Sequence, residues 1–228
     1  MGNLFIVATP IGNLKDITFR AIEVLKSVDL IACEDTRVTK RLLDHYEIDK
    51  PTISYHTHSK LSKIDEIIEM LREGKNIALV SDAGTPTVSD PGSYLVFKAR
   101  ETLGEELKVI PIPGASALTA SLSATGFGDS SFLFLGFLPH KKGRETLFEE
   151  IARTERIVVF YESPHRFMKA LESLKKFIDP NRKIAVAKEI TKIFEEIKIG
   201  TIEEVINYFE INKDKIRGEF VVIVGCGV

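Results

Sequence analysis

Along the first half of the chain, short apolar runs alternate with segments whose apolar residues recur every three or four positions. Residues 4–8 (LFIVA), 30–33 (LIAC), 77–80 (IALV) and 108–110 (KVI) are of the first kind and predict strands. Residues 18–27, 36–44, 62–72 and 92–101 are of the second kind and predict amphipathic helices. Thr18 suits the first of these as a cap, and Gly74 is well placed to end the third. Strands that alternate with helices need crossovers, so this half predicts a mostly parallel sheet covered on both faces.

The second half has a different rhythm. After the punctuation Pro111-Ile112-Pro113-Gly114 comes a small-residue helix over 115–124 and a strand over 132–137. Helices at 144–153, 164–177 and 202–209 alternate with strands at 157–161 and 220–224. Two further runs, 184–189 and 194–200, are close enough to form a hairpin turning at Thr191-Lys192. Adjacent strands without a helix between them predict a mixed sheet with antiparallel pairs. The reading is therefore α/β in two domains, residues 1–112 and 113–228, with no fixed-period repeat.

Composition narrows the class. A hydrophobic fraction of 44% with 28% charged residues fits a globular enzyme, and no apolar run approaches the ~20 residues that cross a bilayer. The opening MGNLFIVATPIG has no basic region or cleavage site of a signal peptide, so a cytoplasmic protein without a membrane partner is expected. Cys33 and Cys226 stand far apart without ligand spacing, which predicts buried free thiols and no metal. A net charge of −2 means that any nucleic-acid contact must use a local basic patch.

Candidate chemistry sits at the strand ends. Four loops follow the predicted parallel strands: TPIGN after the first, CEDTR after the second, SDAGTPTVSDPG from residue 81, and PGASA from residue 113. Ligands in open α/β sheets bind beyond the carboxyl ends of the strands. Each loop alone reads better as a turn, since Gly, Pro, Asn and Asp explain turns by themselves, but four at one edge point to a pocket. None matches a phosphate-binding G-x-x-x-x-G-K-[ST] or G-x-G-x-x-G pattern, and residues 81–92 contain no lysine. The residues alone thus indicate a small polar ligand and nothing finer.

The ordered motifs VATPIGNLKDIT, ACEDTR, VSDAGTPTVSDPGS, IPIPGASALTASLSATG, FLGFLP, FYESPHR and GEFVVIVG go further. A chain carrying them resembles the ribosomal RNA small subunit methyltransferase I family, over essentially its full length. That family lies in the tetrapyrrole-methylase-like class (class III) of S-adenosylmethionine methyltransferases. The resemblance implies two α/β domains with S-adenosylmethionine held in the cleft between them, a homodimer, and 2′-O-methylation of a cytidine of 16S rRNA in the decoding region of the small ribosomal subunit. Longer family members carry an added C-terminal segment, so weaker binding of naked RNA is expected here. Two rivals stand beside this reading: a tetrapyrrole (precorrin-like) methyltransferase, and a non-catalytic ribosome assembly factor.

By motif, the resemblance implies a donor pocket of Pro10, Ser81, Asp82, Gly84, Thr85, Ser116, Ala117, Tyr161, Glu219, Phe220 and Val221. Glu219, Phe220 and Val221 would contact the adenine through backbone groups, and for Phe220 and Val221 plain strand core is an equal alternative. A ribose hydroxyl is a poor nucleophile, so a general base would help. Asp35 and Glu162 rank first for that role, with Glu34 behind them and His56, His58 and His165 as further candidates. Glu34 and Asp35 cannot both face one side if the strand continues through them, and pairing of one with Arg37 or Arg41 is the alternative to a chemical role. For RNA phosphates the basic groups are Arg37 and Arg41, then Lys141, Lys142 and Arg144, then His165 and Arg166. Phe127 and Phe137 are candidates for stacking on a base, against a default of core packing.

Overall fold

The computed structural model describes residues 1–55, 61–128 and 131–227. It divides into two compact units, Met1–Ser116 and Ala117–Val228.

The first unit follows the alternation in the sequence. Strands β1 (Asn3–Val7), β2 (Leu30–Cys33), β3 (Thr52–Ser54), β4 (Ile77–Leu79) and β5 (Lys108–Ile112) form one sheet in the order β3-β2-β4-β1-β5. Every pair is parallel, with Leu4 opposite both Ile77 and Val109. Helices α1 (Phe19–Ser27) and α2 (Thr36–His45) bury Ala21, Leu25 and Leu43 against Val7, Ile31 and Val80 on one face. Helices α3 (Leu61–Arg72) and α4 (Gly92–Leu103) bury Ile67, Leu71, Leu95 and Ala99 against Leu4, Leu30 and Leu79 on the other. Leu4 and Val7 lie on opposite faces, as a pleated strand requires. Both faces are dry, which is why these strands read as unbroken apolar runs.

Helix ends follow the sequence signals. The Thr18 hydroxyl accepts the Ala21 N–H at 3.1 Å and caps α1. Gly74, with φ of +95°, closes the end of α3. Strand β3 was not expected: three half-buried residues are too few to show a period. Strand β5 runs on through Pro111 to Ile112, past the predicted break, because a proline on an edge strand costs no ladder bond.

The second unit is a mixed sheet in the order β6-β7-β10-β8-β9. Its strands are β6 (Phe132–Phe137), β7 (Ile157–Glu162), β8 (Lys183–Lys188), β9 (Glu196–Thr201) and β10 (Phe220–Val224). Only β6 and β7 run parallel; β7–β10, β10–β8 and β8–β9 are antiparallel. Helices α6 (Arg144–Arg153), α7 (Pro164–Lys175) and α8 (Ile202–Ile211) cover one face, while α5 (Ala117–Ser123) packs on the other through Leu118 and Leu122. The Phe167 ring of α7 stacks on Phe220 of β10 at 3.9 Å between centroids. The register of β6 slips between Phe134 and Phe137, where Gly136 adopts φ of +61°. This bulge cancels the normal alternation, so both phenylalanines meet the same ring, Tyr161.

One buried cation secures this unit. Arg182, 2% exposed, donates to the carbonyls of Gly225, Ile151, Ala152, Thr154 and Arg156 at 2.7–3.2 Å. Several of these carbonyls lie at the C-terminal end of α6, where a helix lacks internal donors and carries partial negative charge. Arg182→Met is expected to lower the unfolding free energy by at least about 3 kcal/mol, since several buried carbonyls lose their donor together. Urea unfolding followed by circular dichroism measures this; a loss below about 1 kcal/mol would show that the carbonyls find other partners.

Candidate functional site

The parallel sheet of the first unit sends all its strand ends to one edge. The chain leaves β1 and β2 toward the face of α1 and α2, but leaves β4 toward the face of α3 and α4. Beyond β4 the loops therefore part, which is where open α/β sheets form ligand crevices.

Three of the four predicted loops are laced together at that edge by backbone. Thr9 and Gly84 exchange both N–H···O=C bonds, at 2.9 and 3.0 Å, as an isolated antiparallel bridge. The Thr9 hydroxyl donates to the Ser81 carbonyl at 3.1 Å, and the Thr85 hydroxyl donates to the Ala115 carbonyl at 3.1 Å. Gly84 has φ of +82°, and a Cβ there would meet Ile11 Cγ2 at 3.3 Å, so the position favours glycine twice over. Ser81 is buried and its hydroxyl donates to the carbonyls of Ala83 and Gly84, which makes it part of the lacing. Pro10 is buried too; Thr85 and Ser116 are half-buried.

The fourth loop joins through acidic side chains. Asp82 Oδ1 accepts the Asp35 N–H at 3.0 Å, while Glu34 Oε1 accepts the Asp82 N–H at 3.4 Å. These crossed bonds tie the end of β2 to the end of β4 and set the Glu34 carboxylate near those of Asp82 and Asp90. Burial, then the charges of Asp90 and Asp82, push the Glu34 carboxyl up from the ordinary 4.5 to about 7. Asp90 is also pushed up, by burial. It lines a pocket of about 600 Å³ with Tyr55, Thr87, Ser89 and Tyr94. Thr87 and Ser89 hold positive φ, of 73° and 66°, so the wall of this pocket carries backbone strain.

This geometry reverses the expected ranking of bases. Asp35 caps α2, accepting the Arg37 N–H at 2.8 Å, and meets the Arg37 guanidinium through both oxygens. Those hydrogen bonds hold its carboxyl well below the usual range, which makes it a poor base at neutral pH. Glu162 is wholly buried and is committed to Arg144 Nη2 at 2.7 Å, Arg166 Nη2 at 2.8 Å and the Ser163 N–H at 2.8 Å. A carboxylate held by two cations has no free lone pair facing solvent, so it is an anchor and not a base. Glu34, ranked behind both, is the carboxyl of the three that is raised toward neutrality. His56 and His58 lie outside the described residues; His165 is exposed on α7.

The same contacts correct two cationic assignments. Arg144 Nη1 donates to the Pro139 carbonyl and Arg166 Nη1 to the Leu138 carbonyl, both at 3.0 Å, so these guanidinia are structural. Arg41, Lys141, Lys142 and His140 are exposed, and Arg37 is exposed while paired to Asp35. In β10, Phe220 is core, stacked on Phe167, and Val221 is buried on the opposite face. Both lie on a central strand paired on both sides, so their side chains belong to the core, the alternative open for them in the sequence. Glu219 is exposed just before that strand, and its carbonyl accepts the Glu189 N–H at 3.4 Å. Tyr161 is half-buried between Phe134 and Phe137, and its phenol is raised by burial. Ala117 begins α5. Among the described residues no group of three His, Cys, Asp or Glu is placed to hold a metal ion.

A family model, tetrapyrrole (corrin/porphyrin) methylases, matches residues 3–206. The chain is 49% identical over 225 residues to a Bacillus subtilis protein called ribosomal RNA small subunit methyltransferase I, covering 98% of this chain and 75% of the relative. A Synechocystis protein of the same name is 47% identical over 225 residues, covering 98% of this chain and 79% of the relative. The crystal structure of the methyltransferase CobJ matches the whole chain and 95% of its own length, with a TM-score of 0.72 at 21% identity. A uroporphyrin-III C-methyltransferase from Thermus thermophilus, complexed with S-adenosyl homocysteine, matches 98% of this chain and 97% of its own with a TM-score of 0.64 at 18% identity. With its parallel and mixed five-stranded sheets and its near-full-length relatives, the chain belongs to the ribosomal RNA small subunit methyltransferase I family, within the tetrapyrrole methylases.

Proposed function

We propose that the protein transfers a methyl group from S-adenosylmethionine to the ribose 2′-hydroxyl of a cytidine in 16S rRNA of the small ribosomal subunit. The observation that carries this reading is the crossed bonding of Glu34 and Asp82, which holds a carboxyl tuned to about 7 at the edge where the sheet's loops part. S-adenosylmethionine supplies a methyl group activated on a positively charged sulfur. The residues at the edge fit such a cation: Asp82 is exposed and acidic, Glu34 is half-buried beside it, and residues 81–92 hold no lysine or arginine. Gly84 keeps side-chain bulk away from the backbone there. The adjoining pocket, at about 600 Å³, falls in the size range of sites for small organic ligands such as a nucleoside.

Glu34 takes the proton of the ribose hydroxyl, so that the oxygen bonds to the methyl carbon as the carbon–sulfur bond breaks and sulfur keeps the electron pair. A base poised near neutrality suits this step, because about half of it is ionised at pH 7 and that half is basic enough to accept a proton. The lacing through Thr9, Gly84 and Asp82 keeps that carboxyl fixed, and fixed geometry is where most of the rate of an in-line displacement arises.

Single-turnover transfer to isolated small subunits, at saturating donor, tests the assignment. The wild-type rate is expected to rise with pH and level off above about 7, following the ionisation of Glu34. Glu34→Gln should lower the plateau by about 10²–10⁴-fold and remove the acid limb. A variant with the wild-type rate and profile would take Glu34 out of the chemistry.

Stability carries the same signature. Folded, Glu34 keeps its proton up to about pH 7, whereas unfolded it loses it near 4.5. Folding therefore binds a proton within that window, and stability falls as pH rises through it. Unfolding measured across this range should show a shallower fall for Glu34→Gln, the remainder belonging to Asp90. An undiminished fall in the variant would contradict the raised carboxyl.

A further inference from the structure

The loop of residues 139–143 carries His140, Lys141 and Lys142, all exposed, and its root is held unusually firmly. Arg144 grips the Pro139 carbonyl and Arg166 the neighbouring Leu138 carbonyl, each at 3.0 Å. Arg166 Nε also donates to the Ser163 hydroxyl at 3.2 Å. Both guanidinia converge on Glu162, which has no solvent exposure and sits at the end of β7. One carboxylate thus serves two arginines, and the pair keeps a net positive charge directly beneath a loop bearing two more. Glu162 is a single buried anion between two guanidinia, and the exposed loop that they grip adds Lys141 and Lys142, with Glu145 the acidic side chain next in sequence.

Beside this loop stands an exposed aromatic ring. Phe137 is 47% exposed although it ends a strand of the sheet. The bulge at Gly136 turns it out, and Tyr161 supports it from one side with centroids 5.4 Å apart. A half-exposed ring followed in sequence by exposed lysines on a loop with a pinned root is a combination that suits single-stranded nucleic acid, the ring stacking on a base and the cations meeting phosphates.

We propose that Phe137, His140, Lys141 and Lys142 form a contact for a single-stranded RNA segment, with Glu162 as the positioning residue that fixes the loop through Arg144 and Arg166. This deepens the functional reading above and rests on its RNA substrate, but not on Glu34. The surface recognises the sugar-phosphate strand and one unstacked base; it has no exposed carboxylate or amide among its four members to select a base, so it holds the strand and leaves sequence selection elsewhere.

The test is binding of the full chain to small subunits over a range of salt, with S-adenosylmethionine affinity by calorimetry as the check on folding. Lys141→Ala with Lys142→Ala should reduce the slope of log affinity against log salt by about 1.4, for two phosphates on a single strand. Phe137→Ala should weaken binding about tenfold with the slope retained. Glu162→Gln, which keeps an acceptor for the Ser163 N–H, should raise KM for the subunit by a larger factor than it lowers kcat; a loss confined to kcat or to the folded fraction would deny it a positioning role. Lysine and phenylalanine variants that bind and methylate like the wild type would overturn the contact while leaving the functional reading intact. A wild type that binds S-adenosylmethionine but shows no salt-dependent affinity for small subunits would overturn both.

Discussion

Two backbone hydrogen bonds between Thr9 and Gly84 set the terms for the carboxyl edge of the first sheet. Loops after parallel strands have no neighbour to pair with, and their polar backbone would otherwise depend on water. The Thr9–Gly84 bridge solves this by making the loops after β1 and β4 into a short piece of antiparallel ladder beyond the parallel one. Glycine alone meets both requirements at position 84, a left-handed backbone and a wall left by Ile11. Once that bridge forms, the hydroxyls of Thr9, Ser81 and Thr85 are spent on carbonyls. Among the side chains left outside that lacing are the carboxylates of Glu34 and Asp82.

That residue of free chemistry is instructive. Glu34 and Asp82 brace each other through main-chain N–H groups, so neither needs a cation to hold its place. With no lysine in the loop, the carboxylates repel one another, and the mutual repulsion with burial raises Glu34. In the second unit the opposite economy operates. Glu162 is surrounded by arginines, Arg182 by carbonyls, and both serve to hold chain segments in place. Acids held by main-chain N–H groups gather at the edge of the first sheet; the acid held by guanidinia belongs to the scaffold of the second unit.

Much of the fold was legible. Apolar runs and helical periods located nearly every strand and helix, because both sheets bury their strands deeply enough to leave an unbroken signal. Strand β3 escaped, being short and half-buried. The four loops of the edge were legible as loops at one edge from their place after parallel strands, but the lacing of the 81–92 segment to its neighbours was not, since it depends on backbone groups that residue identity does not reveal. The partners of charged side chains were legible only in part: pairing of one ACEDTR acid with Arg37 or Arg41 was open in the sequence, whereas Glu162 looks like a free acid yet is bound by a guanidinium four residues on. The i to i+4 spacing of Glu162 and Arg166 was the one available sign, and the contribution of Arg144 depends on a contact across 18 residues of chain. The network of Arg182 had no sign at all, since carbonyls of Ile151, Ala152 and Thr154 leave no trace in residue identity. Likewise the turning out of Phe137 depends on a bulge at Gly136 that alternation alone does not reveal.

The central claim is that the protein methylates a ribose oxygen of a cytidine in small-subunit RNA. Small subunits incubated with the protein and methyl-labelled S-adenosylmethionine, then digested to nucleosides and resolved by mass spectrometry, test it directly. The account predicts label in 2′-O-methylcytidine and in no other nucleoside. Label on a nucleobase, label on a different ribose, or transfer only to an added tetrapyrrole would contradict it.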